Sequence, residues 1–414
     1  MQLTILLFIM LALFSTKNAF SQEDGNRYTT LNKEYISKHT FHFNIQKNKF
    51  YGEGAKLLEY KISLAQFLIL GEYHGSSQIS KFTKTLIPVL KENKFDVAVF
   101  EIGPNSAKKI RDITKDSENI TKDLYNFYTE NYFKKIDNTV IPFLDNKGDA
   151  LFLEDLAKNN FEIWGCDQEF YTAVLFLGDE IVSQVNYRPD FEKIQETWYK
   201  AKQDIIALYI KDQNKKIKIF EEIKSNKNFH KFSNFFTEKD TVAFQILNDL
   251  TISWDIYTNY RRSHKDRVML IREYFLKQYS TNEVQKPNSK YFIKIGGLHA
   301  GKKAISLGNY DIGALTEELA TLNGTKSINI HFKPAYSDNN TEYMKYLHLF
   351  TQFGQKDQWT IIDLNSISKD IQNGKISLIG IKQYRDIKEE IDNYDLLIIP
   401  PNDYDPTPNY GTMQ

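Results

Sequence analysis

Acidic side chains and histidines follow four apolar runs of this sequence, at the point where each run ends. The runs occupy residues 66–70, 96–100, 161–165 and 291–295. The side chains that follow them are Glu72, His74, Glu101, Asp167, Glu169 and His299. Carboxylates and imidazoles transfer protons or bind metal ions in enzymes, so the six are candidates for acid–base or metal chemistry and not for packing.

The apolar runs read as β-strands separated by helical sequence, which predicts an α/β fold with a mainly parallel sheet flanked by helices. Residues 78–93, between the first two runs, carry apolar positions at helical spacing behind the N-cap sequence Ser76-Ser77. Further strands are predicted at 327–332 and 395–399. Because an open parallel sheet binds its ligands at the carboxyl ends of its strands, we expect the six side chains to converge on one edge.

A long helical segment separates the third strand from the fourth. Residues 170–285 show helical periodicity and no clear strand, so they are predicted to form a helical cap inserted over the site. The remainder of residues 23–414 is predicted to be one α/β domain. Residues 23–48 are polar and mixed and are expected to form an arm that precedes the first strand.

The composition limits the kind of partner and the compartment. The 53 Lys and Arg residues balance the 53 Asp and Glu residues, which argues against nucleic acid or an anionic membrane and favours a small-molecule substrate. Leu3 to Phe14 is apolar apart from Thr4 and too short to span a bilayer, so residues 1–22 are expected to be a signal peptide. A signal peptide predicts export to the periplasm or the cell exterior. No later segment has the apolar length of a membrane helix. The sequence leaves the oligomeric state open.

The most specific local motif is Gly71-Glu72-Tyr73-His74-Gly75, directly after a buried-looking strand. Glu72 and His74 are two residues apart and can point to one side. A carboxylate beside an imidazole orients the ring and raises its basicity, as a general base or a metal ligand requires. Glu101 follows the neighbouring strand and is expected to face this motif.

Asp167 and Glu169 are also two residues apart, and neighbouring acids tend to split their pKa values, as a general acid beside an ionised partner requires. The alternative is that they cap the start of a helix. Cys166 is expected to be a small buried core residue, and a single cysteine excludes an internal disulfide.

His299 lies in a glycine-rich stretch, residues 296–303, that nearly spells a phosphate-binding loop. The spacing fits only from Gly296, and Lys303 stands where Ser or Thr would hold magnesium, so nucleotide binding is not expected. The glycines are instead expected to let the chain pass close to a substrate while His299 faces the site.

A basic run, residues 259–267, lies on the predicted long helix of the cap. It is either a solvated helix face or a source of one arginine, Arg262 or Arg267, that reaches the acidic cluster and stabilises an anion. The remaining histidines, including His331, lack such a context and are interpreted as structural.

Four of these motifs together resemble the erythromycin esterase-like group, which is related to the haem-binding ChaN lipoproteins and the Tiki/TraB proteases. They are Leu68–Gly75, Val99–Glu101, the Trp-Gly-x-Asp-Gln-Glu sequence of 164–169 and Gly297-Leu298-His299. The resemblance covers about residues 51–399, and the stretch from Arg262 to Met269 adds to it. It implies that His74 activates water with Glu72 and Glu101 as partners, and that His299 is the second site histidine.

Two departures from the family pattern matter. Erythromycin esterases typically place two residues between the Glu and His of the first motif, whereas only Tyr73 stands here, as in the ChaN-like form. The chain lacks the cysteine of a lipobox, which counts against a ChaN-like lipoprotein.

Three hypotheses of function follow. The first is an exported hydrolase in which His74-activated water attacks an ester or related acyl bond, without a Gly-x-Ser-x-Gly nucleophile. The second is a metal-dependent hydrolase with His74, His299 and Glu101 as ligands of a divalent ion. The third is a non-catalytic haem- or metal-binding uptake protein, in which a surface His or Tyr, such as Tyr73 beside His74, would bind the iron.

Overall fold

The computed structural model describes residues 29–259, 263–304, 308–336 and 347–411. The predicted signal peptide and Arg262 lie outside these ranges. The strands of the described residues are β1 Thr29–Thr30, β2 Thr40–Gln46, β3 Lys49–Tyr51, β4 Phe67–Glu72, β5 Phe95–Phe100, β6 Glu162–Gly165, β7 Lys290–Gly296, β8 Ser327–Phe332, β9 Trp359–Asp363, β10 Ile376–Ser377 and β11 Leu396–Ile399. Nine of them form one sheet in the order β3-β2-β9-β11-β8-β4-β7-β5-β6, and β1 pairs with β10.

The six strands from β11 to β6 are parallel, as the sequence predicts. β4 lies in the middle with all six residues buried, because helices cover both faces of a parallel sheet. This double burial explains why the strand reads as one continuous apolar run. The predicted mainly parallel α/β fold is therefore confirmed.

The other side of the sheet is antiparallel and was not predicted. β9 runs antiparallel to β11, and the hairpin β2–β3 extends the sheet beyond it. The predicted arm at 23–48 is therefore wrong over its second half, where Phe41, Phe43 and Ile45 alternate with polar residues as a half-buried strand requires. Phe43 stacks on Trp359 and fastens the hairpin to the core.

Sixteen helices of the described residues surround the sheets. They are α1 Lys33–Ser37, α2 Glu53–Leu64, α3 Ser77–Glu92, α4 Pro104–Asp116, α5 Ile120–Glu130, α6 Lys147–Lys158, α7 Val174–Gln184, α8 Phe191–Lys215, α9 Ile219–Ser225, α10 Lys227–Ser233, α11 Thr241–Thr258, α12 His264–Gln285, α13 Ile312–Leu322, α14 His348–Thr351, α15 Leu364–Gln372 and α16 Tyr384–Asn393. Helix α3 begins as predicted, with the Ser76 hydroxyl accepting a hydrogen bond from the amide of Ile79 at 3.0 Å.

The cap consists of α7 to α12, which lie between β6 and β7 as the sequence predicts. Its interior is apolar, with Ile194, Trp198 and Phe232 buried between the helices. The last of these helices, α12, leads back to the start of β7, so its first turn lies at the carboxyl edge of the sheet. Within the described ranges, no helix combines the length and the apolar character needed to cross a membrane.

Candidate active site

The carboxyl ends of β4, β7, β5 and β6 are adjacent, and they bring the predicted residues to one edge. Glu72 is the last residue of β4 and pairs with Gly296, the last residue of β7. Glu101 directly follows β5, and Asp167 lies two residues beyond the end of β6. The positions of the acids therefore follow from the strand register.

His74 is held between two carboxylates. Its Nδ1 lies 3.1 Å from Oε1 of Glu72, and its Nε2 lies 3.7 Å from Oε2 of Glu101. The ring stacks on Phe143 with a centroid separation of 3.9 Å, and the side chain remains 38% exposed. When Nδ1 of the neutral ring donates its proton to Glu72, Nε2 carries the lone pair and faces Glu101.

Lys294 of β7 neutralises Glu72 in the interior. Its Nζ lies 2.5 Å from Oε2 of Glu72, and both side chains are buried. Burial raises the pKa of Glu72, but the charge of Lys294 and the hydrogen bond with His74 outweigh it and leave the pKa lowered. Burial and the charge of Lys294 lower the pKa of His74. The two carboxylates of Glu72 and Glu101 raise it by more, so the pKa of His74 is raised overall.

Glu101 is the common partner of the cluster. Oε2 accepts a hydrogen bond from the amide of Gly296 at 2.5 Å, and Oε1 accepts one from Nη2 of Arg267 at 2.7 Å. Nε2 of His299 lies 3.6 Å from Oε1. Burial raises the pKa of Glu101, but His299, Arg267 and His74 together lower it below its ordinary value.

The backbone at position 296 leaves little room for a side chain. A Cβ atom there would lie 3.1 Å from Oε2 of Glu101 and 3.2 Å from Nε2 of His74. Because Gly296 carries no side chain, its amide approaches Glu101 closely and the space between the carboxylate and the imidazole stays open. The sequence predicts that these glycines let the chain approach a substrate; in the structure, the group that Gly296 approaches is Glu101.

His299 is buried and is oriented by an acid of its own. Its Nδ1 lies 2.6 Å from Oδ2 of Asp311, at the start of α13. Burial lowers the pKa of His299, but the hydrogen bond with Asp311 and the charge of Glu101 raise it above its ordinary value overall. Nε2 of His299 faces the same carboxylate that Nε2 of His74 faces.

Arg267, in the first turn of α12, connects the cap to the site. It binds Asp167 through two hydrogen bonds, from Nε at 3.0 Å and from Nη2 at 2.5 Å. Nη2 also donates to Glu101, so one guanidinium joins the ends of β5 and β6. Among the described residues, no group accepts a hydrogen bond from Nη1. Arg267, one of the two arginines predicted for this role, therefore reaches the acids, and Arg262 lies outside the described residues.

Glu169 lies apart from the cluster and caps α4. Its Oε1 accepts from the amides of Asn105 and Ser106 at 2.7 and 3.3 Å, and its Oε2 accepts from the Ser106 hydroxyl at 2.5 Å. Burial raises its pKa to about 7. Cys166 is fully buried, and burial raises the pKa of its thiol well above the ordinary value, so it is not an activated nucleophile.

Two further histidines near the edge carried no usable signal in the sequence. The ring of His264, the first residue of α12, lies 6.1 Å from that of His299, and its buried Nε2 has no partner among the described residues. His331 on β8 is buried, with Nδ1 2.7 Å from Oε1 of Glu390. A Cβ on Gly297 would lie 2.6 Å from Nε2 of His331, so this histidine packs beneath the turn that carries His299.

The cluster does not fit a bound metal ion. Within the described ranges, no three or more His, Cys, Asp or Glu side chains have the spacing to hold one. The oxygens of Glu72 and Glu101 already face Lys294, Arg267 and the amide of Gly296, and these N–H groups and positive charges occupy the positions that a cation would take.

Tyr73 does not fit a haem ligand. Its hydroxyl donates to Oδ2 of Asp403 at 2.5 Å. Burial and the charge of Asp403 raise the pKa of the phenol, which disfavours the phenolate that binds haem iron.

A small cavity of about 180 Å³ opens beside the cluster. Glu101, Asp167 and Arg267 form part of its wall, and the rest is largely apolar. The apolar wall residues include Ile102, Ile141, Pro142, Phe143, Phe170 and Tyr257. A larger groove of about 510 Å³ lies between α4 and α12 along the edge of β6, but it is lined by other residues and is remote from the paired acids and histidines.

Solved structures with a similar fold are known. A histidine-to-asparagine mutant of the erythromycin esterase EreC in its open conformation superposes with a TM-score of 0.52 at 11% identity, over 89% of this chain and 98% of that one. This chain has the fold of an erythromycin esterase. A Bacillus cereus protein matches at 12% identity over 93% of this chain and 99% of that one, with a TM-score of 0.47. ChaN of Campylobacter jejuni, with cofacially bound haem, matches at 10% identity over 87% and 96%, with a TM-score of 0.34.

Sequence comparisons identify no relative. No protein-family model matches the chain. No curated protein matches it either.

Breaking the buried ion pair of Lys294 and Glu72 is expected to destabilise the protein strongly. We expect Lys294→Met to lower the free energy of unfolding by about 3–5 kcal/mol, because Glu72 would remain charged and buried without its cation. The double variant Lys294→Met/Glu72→Gln removes both charges and is expected to regain most of this loss. Urea denaturation at pH 7 measures both. A loss below about 1 kcal/mol, the range of exposed pairs, would contradict the buried pairing.

The raised pKa of Glu169 predicts that the free energy of unfolding depends differently on pH in the wild type and in Glu169→Gln. The pKa of Glu169 is about 7 in the folded protein and 4.5 ordinarily, so its protonated form favours folding. That contribution is present below pH 4.5 and is lost as the pH rises through 7, by on the order of 3 kcal/mol. We therefore expect the variant to equal the wild type near pH 4.5 and to exceed it in unfolding free energy at pH 8. Equal pH dependence of the two proteins would contradict this.

Proposed function

We propose that this protein is a hydrolase that cleaves an ester or a related acyl bond with water activated by His74. The arrangement of His74 carries the proposal. Glu72 fixes its Nδ1, and its Nε2 faces Glu101 across 3.7 Å, beside a largely apolar cavity. That distance is too long for a direct hydrogen bond, but both groups can hydrogen-bond one water molecule.

Proton transfer in this arrangement has a defined direction. His74 Nε2 takes a proton from the water as the water oxygen bonds to the acyl carbon, and the imidazolium later returns the proton to the leaving oxygen. Glu72 holds the ring in the tautomer that this requires and stabilises the imidazolium. Glu101, kept ionised by Arg267 and His299, orients the attacking water.

The oxyanion that forms on the acyl group needs positive partners. The guanidinium of Arg267 is a permanent cation on this side of the cluster, and His299, whose pKa is raised, supplies a second positive charge when it is protonated. Both are fixed before the substrate binds, His299 by Asp311 and Arg267 by Asp167. Such preorganised donors stabilise developing charge at little reorganisation cost.

The adjoining cavity supports a small acyl group as the part of the substrate that binds here. Its volume of about 180 Å³ lies below the roughly 300–1,000 Å³ of pockets for drug-sized ligands. The walls supplied by Phe143, Phe170 and Tyr257 suit an uncharged aliphatic or aromatic group. A macrocyclic ring exceeds this space, which agrees with the shortened Glu-x-His motif.

The sequence supports export as part of this proposal. The apolar segment from Leu3 to Phe14, followed by small and polar residues, is typical of a cleaved signal peptide. We therefore place the activity in the periplasm or outside the cell.

Replacement of His74 tests the proposed chemistry. We expect the mature protein to hydrolyse p-nitrophenyl butyrate and His74→Ala to lose about 100-fold or more in kcat/KM, because the general base is removed. The pH profile of the wild type is expected to rise through an apparent pKa above 6.5, since the pKa of His74 is raised and the base must be neutral. Glu169→Gln, outside the cluster, is the control and is expected to retain activity.

Two results would contradict this mechanism. One is a wild type that hydrolyses no activated ester above the buffer rate. The other is a His74→Ala variant that retains wild-type turnover.

Enlargement of the cavity tests the acyl pocket. Phe170→Ala removes an aromatic wall, and we expect it to raise the kcat/KM ratio of p-nitrophenyl octanoate to butyrate by roughly tenfold or more. Tyr187→Ala, an aromatic residue of the cap that is 78% exposed, is the matched control. An unchanged ratio in Phe170→Ala, with hydrolysis still dependent on His74, would show that the acyl group binds elsewhere.

A further inference from the structure

The chain crosses the site once more after its last strand. Residues 400–411, here named the C-terminal strap, follow β11 and make contacts on two sides of His74. On one side the strap holds the residue that precedes His74. On the other side it holds the loop that carries Phe143, which stacks on the His74 ring.

The first contact is made by Asp403. Its Oδ2 accepts the hydroxyl hydrogen of Tyr73 at 2.5 Å, and its Oδ1 accepts the amide of Gln78 at 3.1 Å. The side-chain amide of Gln78 donates in turn to the carbonyl of Asn402 at 3.0 Å. Asp403 therefore ties the Glu72–His74 loop to the first turn of α3, and the strap lies against both.

The second set of contacts lies directly after Phe143. The amide of Asn409 donates to the carbonyl of Asp145 at 2.8 Å, and the amide of Lys147 donates to the carbonyl of Thr407 at 2.9 Å. Tyr410 stacks on Tyr132, at the other end of this loop, with ring centroids 4.4 Å apart. The strap thus fixes the loop on both sides of Phe143.

The backbone of Phe143 indicates that the loop needs this support. Its φ is +65°, in the left-handed region that a residue with a bulky side chain rarely adopts. Such strain persists only where surrounding contacts enforce it, and it concentrates at functional sites. The strap supplies the contacts that directly follow Phe143, and on the preceding side the Thr172 hydroxyl donates to the carbonyl of Thr139 at 2.6 Å.

We infer that the C-terminal strap positions His74 for the hydrolysis proposed above, on which this inference rests, with Asp403 and Tyr410 as positioning residues. Asp403 holds the loop that carries His74 through its hydrogen bond with Tyr73, and Tyr410 holds the loop that carries Phe143 through Tyr132. Release of either contact is expected to separate the His74 ring from the Phe143 ring that stacks on it. The charged groups that face His74, namely Glu72, Glu101 and Lys294, remain in place.

Asp403→Ala and Tyr410→Ala test this inference by proton NMR of the His74 ring, assigned with His74→Gln. In the wild type, the stacked Phe143 ring shifts the His74 ring protons upfield. We expect both variants to move these protons downfield and to raise the His74 pKa, since burial lowers it in the wild type. The kcat/KM for p-nitrophenyl butyrate is expected to fall about 10- to 100-fold through misplacement of the base.

Tyr404→Ala is the matched control, because Tyr404 lies in the strap with its side chain 64% exposed. We expect it to leave the ring shifts, the His74 pKa and the activity unchanged. A merely structural strap would lower the melting temperature but leave the ring shifts and the His74 pKa of the folded protein as they are. Unchanged shifts in both test variants would overturn the inference.

The two proposals fail separately. If the wild type hydrolyses no ester but the ring protons move in both variants, the hydrolase proposal falls and the strap still positions His74. If Asp403→Ala does not fold, Tyr73→Phe removes the same hydrogen bond with the loss of one oxygen atom. Unchanged ring shifts in Tyr73→Phe would then overturn the role of Asp403.

Discussion

The burial of the Glu101 carboxylate is the constraint on which the rest of the site depends. A buried charge without partners costs several kcal/mol, so it must be matched by hydrogen bonds and opposite charges. Glu101 accepts hydrogen bonds from the amide of Gly296 on β7 and from Arg267 on α12. The rings of His74 after β4 and His299 in the turn after β7 lie 3.7 and 3.6 Å from its oxygens. Together with Asp167, Glu101 joins the sheet edge to the cap through Arg267.

The strand-end residues of the site could be predicted because of the parallel sheet itself. Strands buried on both faces are near-continuous apolar runs, so β4, β5, β6 and β7 stand out, and the residues that follow them must share an edge. The hairpin β2–β3 escaped prediction because one face of it is polar. Its alternating pattern over Phe41, Phe43 and Ile45 is weaker than an unbroken apolar run.

The partners of the site residues could not be predicted, because they come from distant positions and have no motif. Lys294 reads as one polar residue within an apolar strand, and only its strand register brings it to Glu72. Asp311 and Asp403 lie in loops whose paths the sequence does not specify. For Glu169 the sequence suggested a role that its contacts do not reflect. Its spacing from Asp167 suggested catalysis, whereas its carboxylate caps α4.

The balance of charge explains why His74 is suited to be a base. Four carboxylates, from Glu72, Glu101, Asp167 and Asp311, face only two permanent cations, from Lys294 and Arg267. A proton that moves from water to His74 therefore places a positive charge in surroundings that have too few, and the imidazolium is stabilised as it forms. Lys294 opposes this effect, because its charge lowers the pKa of His74 while it stabilises the charge of Glu72. Lys294 therefore affects both the stability of a buried acid and the strength of the base.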